Sequence, residues 1–147
     1  MSAGEGRLLE ELDDVECHRL LERAVIGRLA YTEGALPAIQ PVHFTMHRGR
    51  VLIPTSTGSK VAAAGRGAIV AFEVDDFDVD SRTGWNVTVV GQAQVVSAPA
   101  DVAALDRLGV AAWAPADVRC YIAVDTTVVR GRRIVALPSA VGAAPTG

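Results

Sequence analysis

Six residues, Thr55-Ser56-Thr57-Gly58-Ser59-Lys60, carry the clearest chemistry in the chain. They stand between an apolar strand-like run, Val51-Leu52-Ile53, and an alanine-rich run, Val61-Ala62-Ala63-Ala64, that ends at Gly65. Hydroxyls and one lysine therefore fall where a strand gives way to a helix. The first N–H groups of a helix lack intrahelical partners, and the helix dipole is positive there. With Lys60 beside them, such groups suit the grip of a phosphate. The same residues also suit an ordinary capped turn with Lys60 in solvent. They do not form a Walker A loop, because no glycine stands five residues before a Gly-Lys-Ser/Thr.

Other reactive side chains point to less. His43 and His47 would share one face of a helix, but here they lie in an alternating run with Pro37 and Pro41. On a strand that separation spans roughly 13 Å, too far for one metal. Asp76-Phe77-Asp78-Val79-Asp80 imitates the start of an EF-hand loop. Ser81 then replaces the required glycine and Val87 the closing glutamate, so a solvated loop is expected. Cys17 and Cys120 have no C-x-x-C spacing and read as free thiols. No G-x-S-x-G elbow exists, and nothing supports covalent hydrolysis. Trp85 and Trp113 suit either core or pocket wall.

The elements that position these residues follow from periodicity. Asp13, with Glu16 three residues on, caps a helix that ends near Ala24. Val25 to Thr32 and Leu36 to His47 alternate as strands around the turn Glu33-Gly34-Ala35. Arg48-Gly49 then turns the chain into a strand from Arg50 to Pro54. Ala68 to Val74 and Trp85 to Ser97 are further strands, joined by an acidic loop from Asp75 to Asp80. Gly91, in the middle of the second, suggests a bulge or bend. Pro99 opens a helix that Gly109 stops, Trp113 sits in a loop, and Arg119 to Val129 reads as the last strand. An all-β barrel with short helices results.

Composition limits the function classes. The 147 residues suit one domain, and half of them are apolar. Net charge is −3 and no lysine/arginine run is present, which argues against a nucleic-acid partner. No apolar run approaches the roughly 20 residues of a membrane helix. The lead has neither the basic nor the apolar part of a signal peptide, so a cytoplasmic location is expected. Residues 1–11 read as a disordered lead, 12–137 as the domain and 138–147 as a disordered tail.

The order of segments adds a resemblance. Gln40-Pro41-Val42-His43-Phe44, then Ile53-Pro54 with the Thr55 to Lys60 stretch, then Ala71-Phe72-Glu73-Val74-Asp75, then Gly84-Trp85-Asn86-Val87-Thr88-Val89-Val90-Gly91-Gln92-Ala93 resembles the FMN-binding split-barrel family, which includes the pyridoxamine 5′-phosphate oxidases. The resemblance spans roughly Cys17 to Ile134. It implies a six-stranded antiparallel split β-barrel that works as a homodimer, with FMN at the subunit interface and a small-molecule substrate. It implies that Thr55, Ser59 and Lys60 grip the flavin phosphate. Gln40, Pro41, Val42 and His43 would run beside the ring, and Trp85 and Asn86 would reach the flavin. Trp113 or Arg132 would cross from the other subunit.

Three departures qualify it. The oxidase's basic residues fall here on Ile39, Val61 and Phe44. A pocket for a phosphorylated vitamer needs its own cationic grip. The resemblance therefore implies a flavin-dependent oxidoreductase of unassigned substrate rather than an oxidase of that vitamer. His43 is the nearby candidate for proton transfer. The alternatives are a reductase using the deazaflavin F420, and a non-enzymatic flavin or haem sensor or carrier, with His43 or His18 as the haem ligand.

Overall fold

The computed structural model describes residues 6–56, 59–110, 118 and 120–137. Trp113, Thr57, Gly58 and the tail from residue 138 lie outside the described residues, as does the side chain of Ser59.

A helix near the N-terminus, α1 (Asp14–Arg23), forms where its cap predicts. The Asp13 carboxylate accepts from the Glu16 N–H at 2.9 Å. Cys17, Leu20 and Leu21 turn inward. The glutamate does not complete the reciprocal box. It binds Arg19 and the distant Arg133 instead.

Two hairpins follow. Strands β2 (Ile26–Glu33) and β3 (Leu36–His43) pair around Gly34 and Ala35, both at positive φ. Strands β4 (Thr45–His47) and β5 (Arg50–Thr55) pair around Arg48 and Gly49, also both positive. Such turns match the right-handed twist of the flanking strands. The run from Leu36 to His47 is broken only at Phe44. Its N–H bonds to Val25 and its buried ring meets Phe72 edge-on, centroids 4.7 Å apart.

Helix α2 (Ser59–Gly65) leads to β6 (Ile69–Asp78), β7 (Thr83–Val96), α3 (Pro99–Asp106), β8 (Cys120–Asp125) and β9 (Val128–Ala136). The sheet runs β3-β2-β6-β7-β8-β5-β4. Its two ends, β3 and β4, are neighbours in the chain across Phe44, so the path curls on itself and is split there. Valines and other apolar residues of β2, β5, β6, β7 and β8 fill the interior.

Strand β7 is the hub. It pairs with β6 through Thr83 to Gln92, with β9 through Gly84 to Val90, and with β8 through Ala93 to Val96. Gly91 sits where one neighbour is exchanged for the other. A Cβ there would overlap the backbone oxygen of Asp125, so only glycine allows the approach.

Four expectations need correction. The described residues hold nine strands, not six; six remain if β3 and β4 count as one bent strand and the appended pair of β9 and β1 (Arg7–Leu12) is set aside. Residues from Arg7 do not belong to a disordered lead. Arg7–Leu12 is β1, paired with β9, where Glu10 faces Arg133 and Glu11 faces Arg132. Opposite charges across a ladder stabilise such a pair. The acidic stretch is strand as far as Asp78, whose carboxylate then caps the turn by accepting from Asp80 and Ser81. Finally, the predicted last strand is two, β8 and β9, parted at Thr126 and Thr127. The chain there leaves one half of β7 for the other.

Candidate functional site

Gln40 lies on β3 and Lys60 is the second residue of α2. The Lys60 ammonium donates from Nζ to Gln40 Oε1 at 3.1 Å. This contact joins two segments that sequence reasoning picked separately. Helix α2 has seven residues, fewer than two full turns, so the charge of Lys60 matters more here than the helix end.

Thr55 ends β5 and is 7% exposed, a buried polar residue in an apolar wall. It stands opposite Cys120 in the β5–β8 ladder. The Cys120 thiol donates to the Ser56 carbonyl at 3.6 Å. Burial pushes that thiol above its ordinary range, and the nearby Lys60 charge acts against the shift. Cys120 is therefore part of the clamp's surroundings. The sequence offered no signal for it, since the two segments are brought together by strand pairing alone.

On β3, Gln40 and Pro41 are exposed, Val42 is buried against the core and His43 is half-buried. Pro37 and Pro41 are tolerated because β3 pairs on one side only.

Trp85 and Asn86 are not brought to this clamp within one copy of the chain. They lie on β7, and β6 and β2 intervene before β3, roughly three spacings of 4.8 Å. Asn86 Nδ2 donates to Glu73 at 3.4 Å. Arg28 approaches Glu73 at 3.5 Å and Asp75 at 3.2 Å. Burial raises the Glu73 carboxyl above its ordinary value, and the neighbouring Asp75 adds to the shift, while Asn86 and Arg28 oppose it. This cluster was missed, although Glu73 and Asp75 alternate and so share a strand face. Trp85 faces the other way and walls a cleft of about 290 Å3 beside the end of α1. Arg132, on β9, is exposed and stands opposite Asn86.

The family model described as pyridoxamine 5′-phosphate oxidase matches residues 13–139. The chain belongs to the pyridoxamine 5′-phosphate oxidase family. The uncharacterized Mycobacterium tuberculosis protein Rv0080 is 42% identical over 135 residues, 88% of each chain. The FAD binding protein from Mycobacterium smegmatis is 29% identical, with a TM-score of 0.63, over 86% of this chain and 98% of that one. An FAD-binding protein from Mesorhizobium loti, 20% identical, has a TM-score of 0.72 over 86% of this chain and 98% of its own, a likeness of fold. The split barrel expected from the segment order is thus the fold of this family. No helix among the described residues is long and apolar enough to cross a membrane.

Proposed function

We propose that this member of the family is a flavin-dependent oxidoreductase that holds FMN by its phosphate at Lys60 and acts on a small molecule other than the phosphorylated vitamer. The observation that carries the reading is the Lys60–Gln40 contact. It sets the only cation of the clamp stretch against the strand that would run beside the ring. An ammonium has three donors, and Gln40 takes one. Two remain for phosphate oxygens, with Thr55 and Ser59 as further partners. The residues present therefore fit a flavin phosphate.

Bound flavin supplies the electron-transfer chemistry, and the protein binds, orients and shields it. Pro41, Val42 and His43 continue the strand from Gln40 and would flank the ring, with His43 as the side chain able to carry a proton. Ile39, 66% exposed, Phe44 and Val61 stand where the oxidase has cations. A second phosphate has no grip there.

The functional unit is a homodimer in this reading. Asn86 and Trp85 lie across the sheet from Lys60 and face opposite ways, so a second copy is needed to bring either one to the same flavin. An outward sheet face with exposed Ile39, Ile69 and Phe77 is available for it. Named relatives bind FAD, and FMN is preferred here because one lysine suits one phosphate.

Purification tests the proposal. A yellow protein, or a colourless one that quenches added FMN and then turns over a nicotinamide donor, supports it. A protein that binds neither FMN, FAD nor F420 defeats it. Tight flavin binding without turnover leaves a carrier or sensor in place of an enzyme. Light scattering should give twice the mass of the chain.

A further inference from the structure

We propose that the cleft between the end of α1 and the β6–β7 ladder takes a planar cation, a pyridinium or protonated heteroaromatic ring without a phosphate. Its role as the substrate site rests on the flavin reading; its binding chemistry does not.

Three observations converge there. Asp76 is the direct partner of Trp85 across the ladder. Such partners lie about 5 Å apart at Cβ and on one face, so an indole and a carboxylate stand side by side in the cleft wall. A cation over an indole is drawn by the ring quadrupole. Next, the Asp76 carboxylate has no hydrogen bond or ion pair among the described residues. Asp75 turns to the opposite face of the strand, where Arg28 takes it at 3.2 Å. Last, α1 ends at this cleft, and the last carbonyls of a helix carry its negative pole. Arg23 is the opposing charge. The unpaired Asp76 carboxylate and the helix end together outweigh it, so an anion is disfavoured and a cation favoured.

Size and place agree. A volume of about 290 Å3 lies at the small end of the roughly 300–1,000 Å3 of ligand sites, enough for one substituted ring. Leu20, Val25 and Ile26 supply apolar contact. Ile26 is the cross-strand partner of His43, so the cleft adjoins the end of the strand that would flank the flavin.

The test labels both tryptophans with fluorotryptophan and follows them by fluorine NMR. The probes are the 1-methylnicotinamide cation and, as its anionic counterpart, nicotinate. The Trp85 resonance, assigned with Trp85→Phe, should shift saturably with the cation. Nicotinate should need about tenfold more, and Asp76→Asn should weaken the cation about five- to tenfold. Asp76 is exposed, so its replacement leaves the fold intact. A Trp85 resonance that stays still, or answers both probes equally, overturns the proposal. FMN is titrated into the same samples. Flavin binding with no cation response defeats the cleft alone; a cation response without flavin binding keeps the site and defeats its role as a substrate site.

Discussion

Replacing Lys60 by methionine should weaken FMN binding while leaving riboflavin binding almost unchanged. Methionine keeps the length of the side chain and removes the charge. Lys60 Nζ is 3.1 Å from Gln40 Oε1 at a partly exposed position. A hydrogen bond to a charged group contributes about 1.5–3 kcal/mol, and exposure favours the lower end. About 1.5 kcal/mol is roughly tenfold in affinity. Riboflavin has no phosphate and serves as the internal control. Gln40→Leu should do less, because it frees a donor of Lys60 instead of removing the charge. The assay is quenching of flavin fluorescence on titration with protein. Thermal unfolding should barely change, since an exposed pair of this kind contributes little. Equal losses for FMN and riboflavin, or no loss for either, would refute the assignment of Lys60 to the phosphate.

Further predictions concern the frame that positions the site. Gly91→Ala should destabilise the chain by about 1–3 kcal/mol in urea unfolding, because its Cβ collides with the Asp125 backbone and over-packing costs that much. Hydrogen bonds from Arg19 and then Arg133 lower the Glu16 carboxyl from an ordinary 4.5 to about 2. A depressed carboxyl stabilises the fold above its ordinary value and loses that contribution as pH falls. The urea midpoints of the natural chain and Glu16→Gln should therefore differ at pH 5 and converge between pH 4.5 and about 2. Tyr121→Phe removes the hydroxyl that donates to Asp106 at 2.6 Å. It should cost about 1 kcal/mol, measured the same way.

Much of this frame is readable in the sequence because its signals are local. Asp13 and Glu16 announce α1, and Gly34, Gly49 and Gly109 mark turns that only their neighbours determine. Gly91 in a long alternating run marks the change of partner in β7. The errors arise where distant pairing decides. Arg7–Leu12 has no alternation of its own and becomes a strand by pairing with the distant β9. Strand β8 is covered on both faces, by the barrel interior on one side and on the other by Leu52 and Val110, which pack with its own Tyr121 and Ala123. A fully covered strand shows no polar alternation, so its end at Asp125 is invisible until Thr126 bonds to the Gly49 carbonyl.

The same division holds for the site. The Thr55 to Lys60 stretch and the Gln40 strand are legible as separate segments with suitable residues. Their contact is not, since it depends on how β3 edges the sheet near α2. The partnership of Asp76 with Trp85 depends on the turn between β6 and β7, and the acidic stretch reads as loop until Asp78 is seen to cap that turn.

A crystal structure of the chain with FMN would show where the flavin phosphate is held. Its oxygens should lie within hydrogen-bond distance of Lys60 Nζ, with the ring beside Gln40 to His43 and Trp85 or Asn86 of a second copy near it. Flavin bound elsewhere, or a phosphate that does not touch Lys60, would contradict the proposed function.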